Sequence, residues 1–165
     1  MGDATDSVTA AIQTLFRLGG SRRIHQQQAA AAGVSLSPLA LRVLERTLES
    51  GQTTPGALAS RLDLDPGAIT RLLRQLEDGG LVVRGRSPTD GRISTVEATE
   101  DGRAAFERFR RVIWDQVRRA LADWPAGDIT ALADLLQRLV HDVQSEPYEA
   151  LSSPSGKVRS KVPSR

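Results

Sequence analysis

Apolar residues recur at helical spacing along most of the chain, and the rhythm breaks at a few well-marked places. Residues 5–32 read as a helix, with Val8, Ile12, Leu15 and Phe16 on one face and an Ala/Gln-rich second half. Gly19-Gly20 interrupts that helix, and a kink is expected there because glycine weakens a helix interior. Ser37-Pro38, Thr54-Pro55 and Asp65-Pro66 then repeat one start signal: a side-chain oxygen that can cap, followed by proline at the first helical position. The first of these helices carries Leu41, Val43, Leu44 and Leu48 up to a stop at Gly51. The second is short, with Leu58, Ala59 and Leu62, and the third runs to Asp78 before Gly79-Gly80.

The period then changes. Leu81-Val82-Val83-Arg84 and Ile93-Ser94-Thr95-Val96 are β-prone runs joined by Ser87-Pro88-Thr89-Asp90-Gly91, which is turn chemistry, so a hairpin is predicted. Thr99 caps a long helix to about Ala122, with Phe106, Phe109, Ile113 and Val117 spaced for one face. After Trp124-Pro125 a last helix carries Ile129, Leu132, Leu135, Leu136, Leu139, Val140 and Val143, the cleanest apolar stripe in the chain. No internal repeat is present. From Glu146 onward Pro, Ser, Gly and Lys/Arg dominate, and residues 146–165 read as a disordered basic tail.

These elements define a mainly α fold with a small β-hairpin wing. A winged helix-turn-helix lobe at about 34–98 is flanked by N- and C-terminal dimerisation helices at about 5–32 and 99–145, all in one domain of residues 1–145. The lobe has its own core, so the two long apolar-faced helices at opposite ends of the chain need a partner surface, and a homodimer supplies one.

Composition narrows the picture by exclusion. With 39% hydrophobic residues and 4% aromatic ones, the core is built from Leu, Val, Ile and Ala. No cysteine is present, which removes disulfides, thiolate metal sites and thiol redox switching. His25 and His141 are the only histidines, too few for a His-rich metal cluster, and an isolated helical histidine is usually a surface or interface residue. Gly19-Gly20-Ser21 and Gly79-Gly80 match no phosphate-binding loop. No enzyme, cofactor or metal is therefore expected. Nor is there a secretory pattern or an apolar run of membrane-spanning length, so a cytoplasmic protein without membrane contact is expected. The net charge of +2 is carried by the tail, where Lys157, Arg159, Lys161 and Arg165 face only Glu146 and Glu149. The neutral body can bind nucleic acid only by gathering arginines on one face.

Such a face exists on the helix of residues 66–78. Ile69, Leu72, Leu73 and Leu76 form its apolar side, and Thr70, Arg71, Arg74 and Gln75 fall opposite. A recognition helix needs that division, since arginine can bind guanine and glutamine adenine bidentately in the major groove. A solvated surface helix carries the same residue types, so this helix alone leaves both readings open. The hairpin adds Arg84, Arg86 and Arg92 on a ribbon whose tip holds Asp90-Gly91. A tip arginine can clamp phosphate or enter the minor groove, with Asp90 fixing the Arg92 rotamer by ion pairing. Asp90 and Arg92 could equally staple the turn alone.

The order and spacing of these segments resemble the MarR (multiple-antibiotic-resistance regulator) family of winged-helix repressors. The resemblance is carried by Leu36-Ser37-Pro38, Leu58-Ala59 with Leu62, Leu64-Asp65-Pro66 with Ile69-Thr70-Arg71, and Leu76-Glu77. Gly80-Leu81-Val82, Arg84, Pro88, Asp90, Arg92, and Thr99 with Gly102 complete it, over roughly residues 8–143. It implies a dimer that reads a pseudo-palindromic operator in double-stranded DNA, with Thr70, Arg71, Arg74 and Gln75 in the major groove and Asp90 with Arg92 at the wing tip. It also implies release by a small anionic or phenolic ligand held between the dimer helices and the DNA-binding lobe. Arg22, Arg23, Arg42 and Arg46 are candidate anion contacts, or else surface ion-pair partners. Gly67 departs from the family where a small hydroxyl residue is usual, and Ala40 where a polar side chain is common. A winged helix without an effector, or one used for protein contacts, is the alternative.

Overall fold

The computed structural model describes residues 3–146, so the expected tail lies, from residue 147 on, outside the described residues. The chain divides after Ala120 into two compact units. The first contains α1 (Asp3–Gly19), α2 (Arg22–Ala32), α3 (Pro38–Ser50), α4 (Pro55–Leu62), α5 (Pro66–Asp78), β1 (Val82–Arg86), β2 (Ser94–Ala98) and α6 (Glu100–Ala120). The second contains α7 (Ala126–Ser145).

Each of the three Xaa-Pro starts forms a capped helix. Ser37 Oγ accepts from the Ala40 N–H at 3.1 Å, Thr54 Oγ1 from Ala57 at 3.2 Å and Asp65 Oδ1 from Ala68 at 2.9 Å. A cap of this kind contributes about 1 kcal/mol. At the N-terminus the expected single kinked helix is instead two helices. The Gly20 N–H closes α1 on the Phe16 carbonyl, and Ser21 turns extended so that its hydroxyl accepts from the Ile24 N–H at the start of α2. A residue with extended dihedrals cannot continue a helix, so the break is complete.

The helix-turn-helix and hairpin enclose one core. Val43, Leu44, Leu58, Ile69, Leu73, Leu76 and Val96 are fully buried in it, with Ala40 among them. Ala40 thus faces packed side chains, where a polar residue would need a partner. β1 and β2 are antiparallel, with Val82 opposite Ala98 and Arg86 opposite Ser94. Thr53 bridges to Val96 on the other side, so the segment leading into α4 backs the root of the wing. A second cluster, Ala29, Ala32, Val34, Leu41, Ala105 and Phe109, joins α2, α3 and α6.

A short junction ties α5 to α6. Thr99 Oγ1 donates to the Gly80 carbonyl at 2.7 Å and accepts from the Gly102 N–H at 3.0 Å, while the Thr99 N–H donates to the Leu81 carbonyl. The residues that follow α5 are thereby bonded to the first turn of α6. By contrast, α1 and α7 have no buried residue. Phe16 on α1 is 77% exposed and Leu135 on α7 is 62% exposed.

Candidate nucleic-acid interface

α5 buries Ile69, Leu73 and Leu76 against the lobe, and with 3.6 residues per turn Arg71 and Arg74 must then point away from it. Both arginines are exposed, and neither has an ion pair or side-chain hydrogen bond among the described residues. Thr70, on the flank of the same face, donates its hydroxyl to the Pro66 carbonyl at 2.8 Å. Its oxygen keeps acceptor capacity. Gln75 occupies the other flank, where it borders a hollow of about 310 Å³ formed with residues 33–36, Gly79, Leu81, Ala105 and Arg108. Gly67 sits at the start of the helix, where a β-carbon would come within 3.0 Å of the Asp65 capping oxygen. A larger residue there would crowd the cap.

The wing arginines differ in what already holds them. Arg84 donates from Nε to Glu77 Oε2 at 2.9 Å, linking β1 to the last turn of α5. Arg86 reaches the Gly91 and Arg92 carbonyls at 3.4 and 3.5 Å, long contacts that brace the wing tip. The expected Asp90–Arg92 ion pair is not formed. Asp90 Oδ1 accepts instead from the Arg92 backbone N–H at 3.0 Å, closing a local turn that also includes Ser87 Oγ and the N–H groups of Thr89 and Asp90. A carboxylate with a backbone donor two residues away satisfies itself without ordering a long side chain, which would cost rotamer entropy. The Arg92 guanidinium has no partner among the described residues.

A cleft of about 560 Å³ is lined by residues of α2, α3 and α6, with Gly19 at the end of α1. Phe106, Phe109, Ile113 and Trp114 provide an apolar wall, and Arg42, Glu45, His25 and Arg110 bring polar groups. His25 Nε2 lies 2.8 Å from the Leu36 carbonyl; because a carbonyl only accepts, Nε2 carries the proton. Its ring also tilts against Phe109, 5.5 Å between centroids. Of the four arginines considered as anion contacts, only Arg42 lines this cleft, while Arg46 is paired with Glu49. Arg110, which sequence reasoning passed over, lies 4.6 Å over the Trp114 ring and pairs with Glu107 at 2.7 Å. The signal was its position one turn after Phe106, but helical spacing does not say which element faces it. Among the described residues no cluster of His, Asp or Glu is placed to hold a metal, and no helix is long and apolar enough to cross a membrane.

A buried-backed helix with outward arginines, followed at once by a two-stranded wing, defines the winged helix-turn-helix class of DNA-binding protein. The MarR family model matches residues 34–93, the lobe up to the start of β2. YdgJ of Bacillus subtilis (strain 168), an HTH-type transcriptional regulator, is 30% identical over 134 residues, spanning 81% of this chain and 80% of that protein. The chain belongs to the MarR family and is a transcriptional regulator with a DNA-binding fold, not an enzyme. Two solved structures share the fold. The multiple antibiotic resistance repressor MarR aligns with TM-score 0.62 and 24% identity over 82% of this chain and 94% of its own. FabT of Streptococcus pneumoniae, in complex with DNA, aligns with TM-score 0.57 and 19% identity over 85% and 94%.

Proposed function

We propose that the protein is a homodimeric repressor that binds a pseudo-palindromic operator through α5 and the wing and is released by a small anionic or phenolic ligand. The observation that carries the DNA reading is α5: three fully buried residues on one side and two unpartnered arginines on the other, among the described residues. In this reading Arg74 and Arg71 approach base edges, with Thr70 and Gln75 on the flanks, and Arg92 meets phosphate or the minor groove. FabT, solved with DNA, and MarR, a repressor, support both the partner and the direction of control.

The dimer reading is supported by apolar faces that are exposed among the described residues. Val8, Leu15 and Phe16 on α1, and Leu135, Leu136, Val140 and Val143 on α7, are all exposed. Such stripes are commonly covered by a second subunit. The ligand reading is supported by the cleft, whose volume suits a drug-sized molecule and whose apolar wall and Arg42 suit an aromatic anion. α6 forms one wall of this cleft and is bonded to the exit of α5 through Thr99, so a ligand that shifts α6 would also shift α5.

The direct test is binding of the purified protein to the DNA upstream of its own gene, with and without aromatic carboxylates. The reading requires a dimer bound to one half-sited sequence in preference to scrambled DNA, weakened by at least one such ligand. Equal affinity for operator and scrambled duplex contradicts it.

A further inference from the structure

Among the cations of the helix–wing region, Arg84 is the one that a carboxylate engages among the described residues. Its Nε meets Glu77 Oε2 at 2.9 Å, and the two side chains are 31% and 41% exposed. An ion pair this wet adds about 0–1 kcal/mol to stability, so folding does not account for it. Its position does. Glu77 lies three residues beyond Arg74 and seven beyond Thr70, on the flank of α5 that turns toward the wing. A bare carboxylate there would oppose the phosphates that Arg74 and Arg92 are proposed to approach.

We infer that Arg84 is a positioning residue for DNA readout and not a phosphate ligand: it neutralises Glu77 and ties the root of the wing to the last turn of α5. The pair holds Arg74 and Arg92 at a set separation, which is what lets helix and wing engage one half-site together. This rests on the reading of α5 and the wing given above. The neutral pair as a unit therefore contributes to discrimination between sequences rather than to general affinity.

The experiment compares the full-length protein with Glu77→Gln, the Glu77→Gln/Arg84→Ala double variant and the Glu77→Arg/Arg84→Glu exchange, on operator and scrambled duplexes at several salt concentrations. Glu77→Gln frees the arginine, so affinity for scrambled DNA should rise about fivefold and its salt slope steepen by about one unit. The Glu77→Gln/Arg84→Ala double variant, which deletes the pair without changing net charge, should lower the operator-to-scrambled ratio while leaving the salt slope on operator unchanged. The exchange variant, which rebuilds the pair with reversed charges, should recover most of the ratio. All three should melt close to the parent, because the pair is exposed. The inference is overturned if Glu77→Gln changes nothing, or if the charge-neutral double variant loses about one unit of slope on both duplexes, which is the behaviour of a lost phosphate ligand. A parent protein with no preference for operator overturns the α5 reading itself; a parent with preference and a silent Glu77→Gln overturns only the role of the pair.

Discussion

Gly102 packs directly on the Leu81 carbonyl, so closely that a β-carbon at position 102 would overlap the carbonyl oxygen. Leu44 Cδ1 would lie 3.2 Å from the same β-carbon, so an added methyl would be crowded by a packed side chain as well as by the backbone. This packing closes the junction through which the end of α5 and the start of α6 share the hydrogen bonds of Thr99.

Gly102→Ala should therefore destabilise the fold by about 1–3 kcal/mol or more, the range for overpacking against a backbone that cannot move freely. Gly91→Ala is the control: nothing lies within 4 Å of its would-be β-carbon. Urea denaturation of the two variants should give a clear drop in midpoint for the first and a change near zero for the second. Equal midpoints would mean that the junction yields easily.

Leu136→Asp should abolish the dimer. Leu136 is exposed in the single chain and lies in the apolar stripe of α7, so in a dimer its carboxylate would be buried without a partner, at a cost of several kcal/mol. Sedimentation velocity checks it, and operator affinity should fall with the dimer. A variant that remains dimeric and binds operator normally rules out α7 as the interface.

Arg42→Ala should remove stabilisation by aromatic carboxylates while leaving the melting temperature of the unliganded protein nearly unchanged, since Arg42 is an exposed side chain on the cleft wall. The check is a thermal-shift titration of both proteins with one set of aromatic acids. Identical shifts in parent and variant would place the anion elsewhere.

Much of this arrangement was legible in the chain itself. Ser37, Thr54 and Asp65, each followed by proline, marked three helix starts correctly because a cap is a local event between residues three apart. The division of α5 into apolar and polar sides was legible for the same reason: periodicity alone decides which side chains a helix can bury together. Contacts between distant segments were not. The Glu77–Arg84 pair joins two elements whose meeting depends on how the hairpin folds back, and Arg110 enters the cleft only because α6 crosses α2 and α3. At the wing tip the residues were right and the bond was not. Asp90 found a nearer donor in the Arg92 backbone than in the Arg92 side chain.

If α5 reads sequence while the wing clamps the backbone, Arg74 and Arg92 separate the two roles. Both are exposed and unpartnered among the described residues, so substituting either leaves no buried group unsatisfied. Binding isotherms for Arg74→Ala and Arg92→Ala on operator, on single-base operator variants and on scrambled DNA, each at several salt concentrations, measure the difference directly. Arg74→Ala should cost about 1–3 kcal/mol on operator and flatten preference at one base position in each half-site. Arg92→Ala should weaken binding to all duplexes alike and reduce the salt slope by about 0.9 for each phosphate that the arginine had neutralised. A base-selective Arg92→Ala with a uniform Arg74→Ala would reverse the roles, and two variants indistinguishable from the parent would remove this face from the DNA altogether.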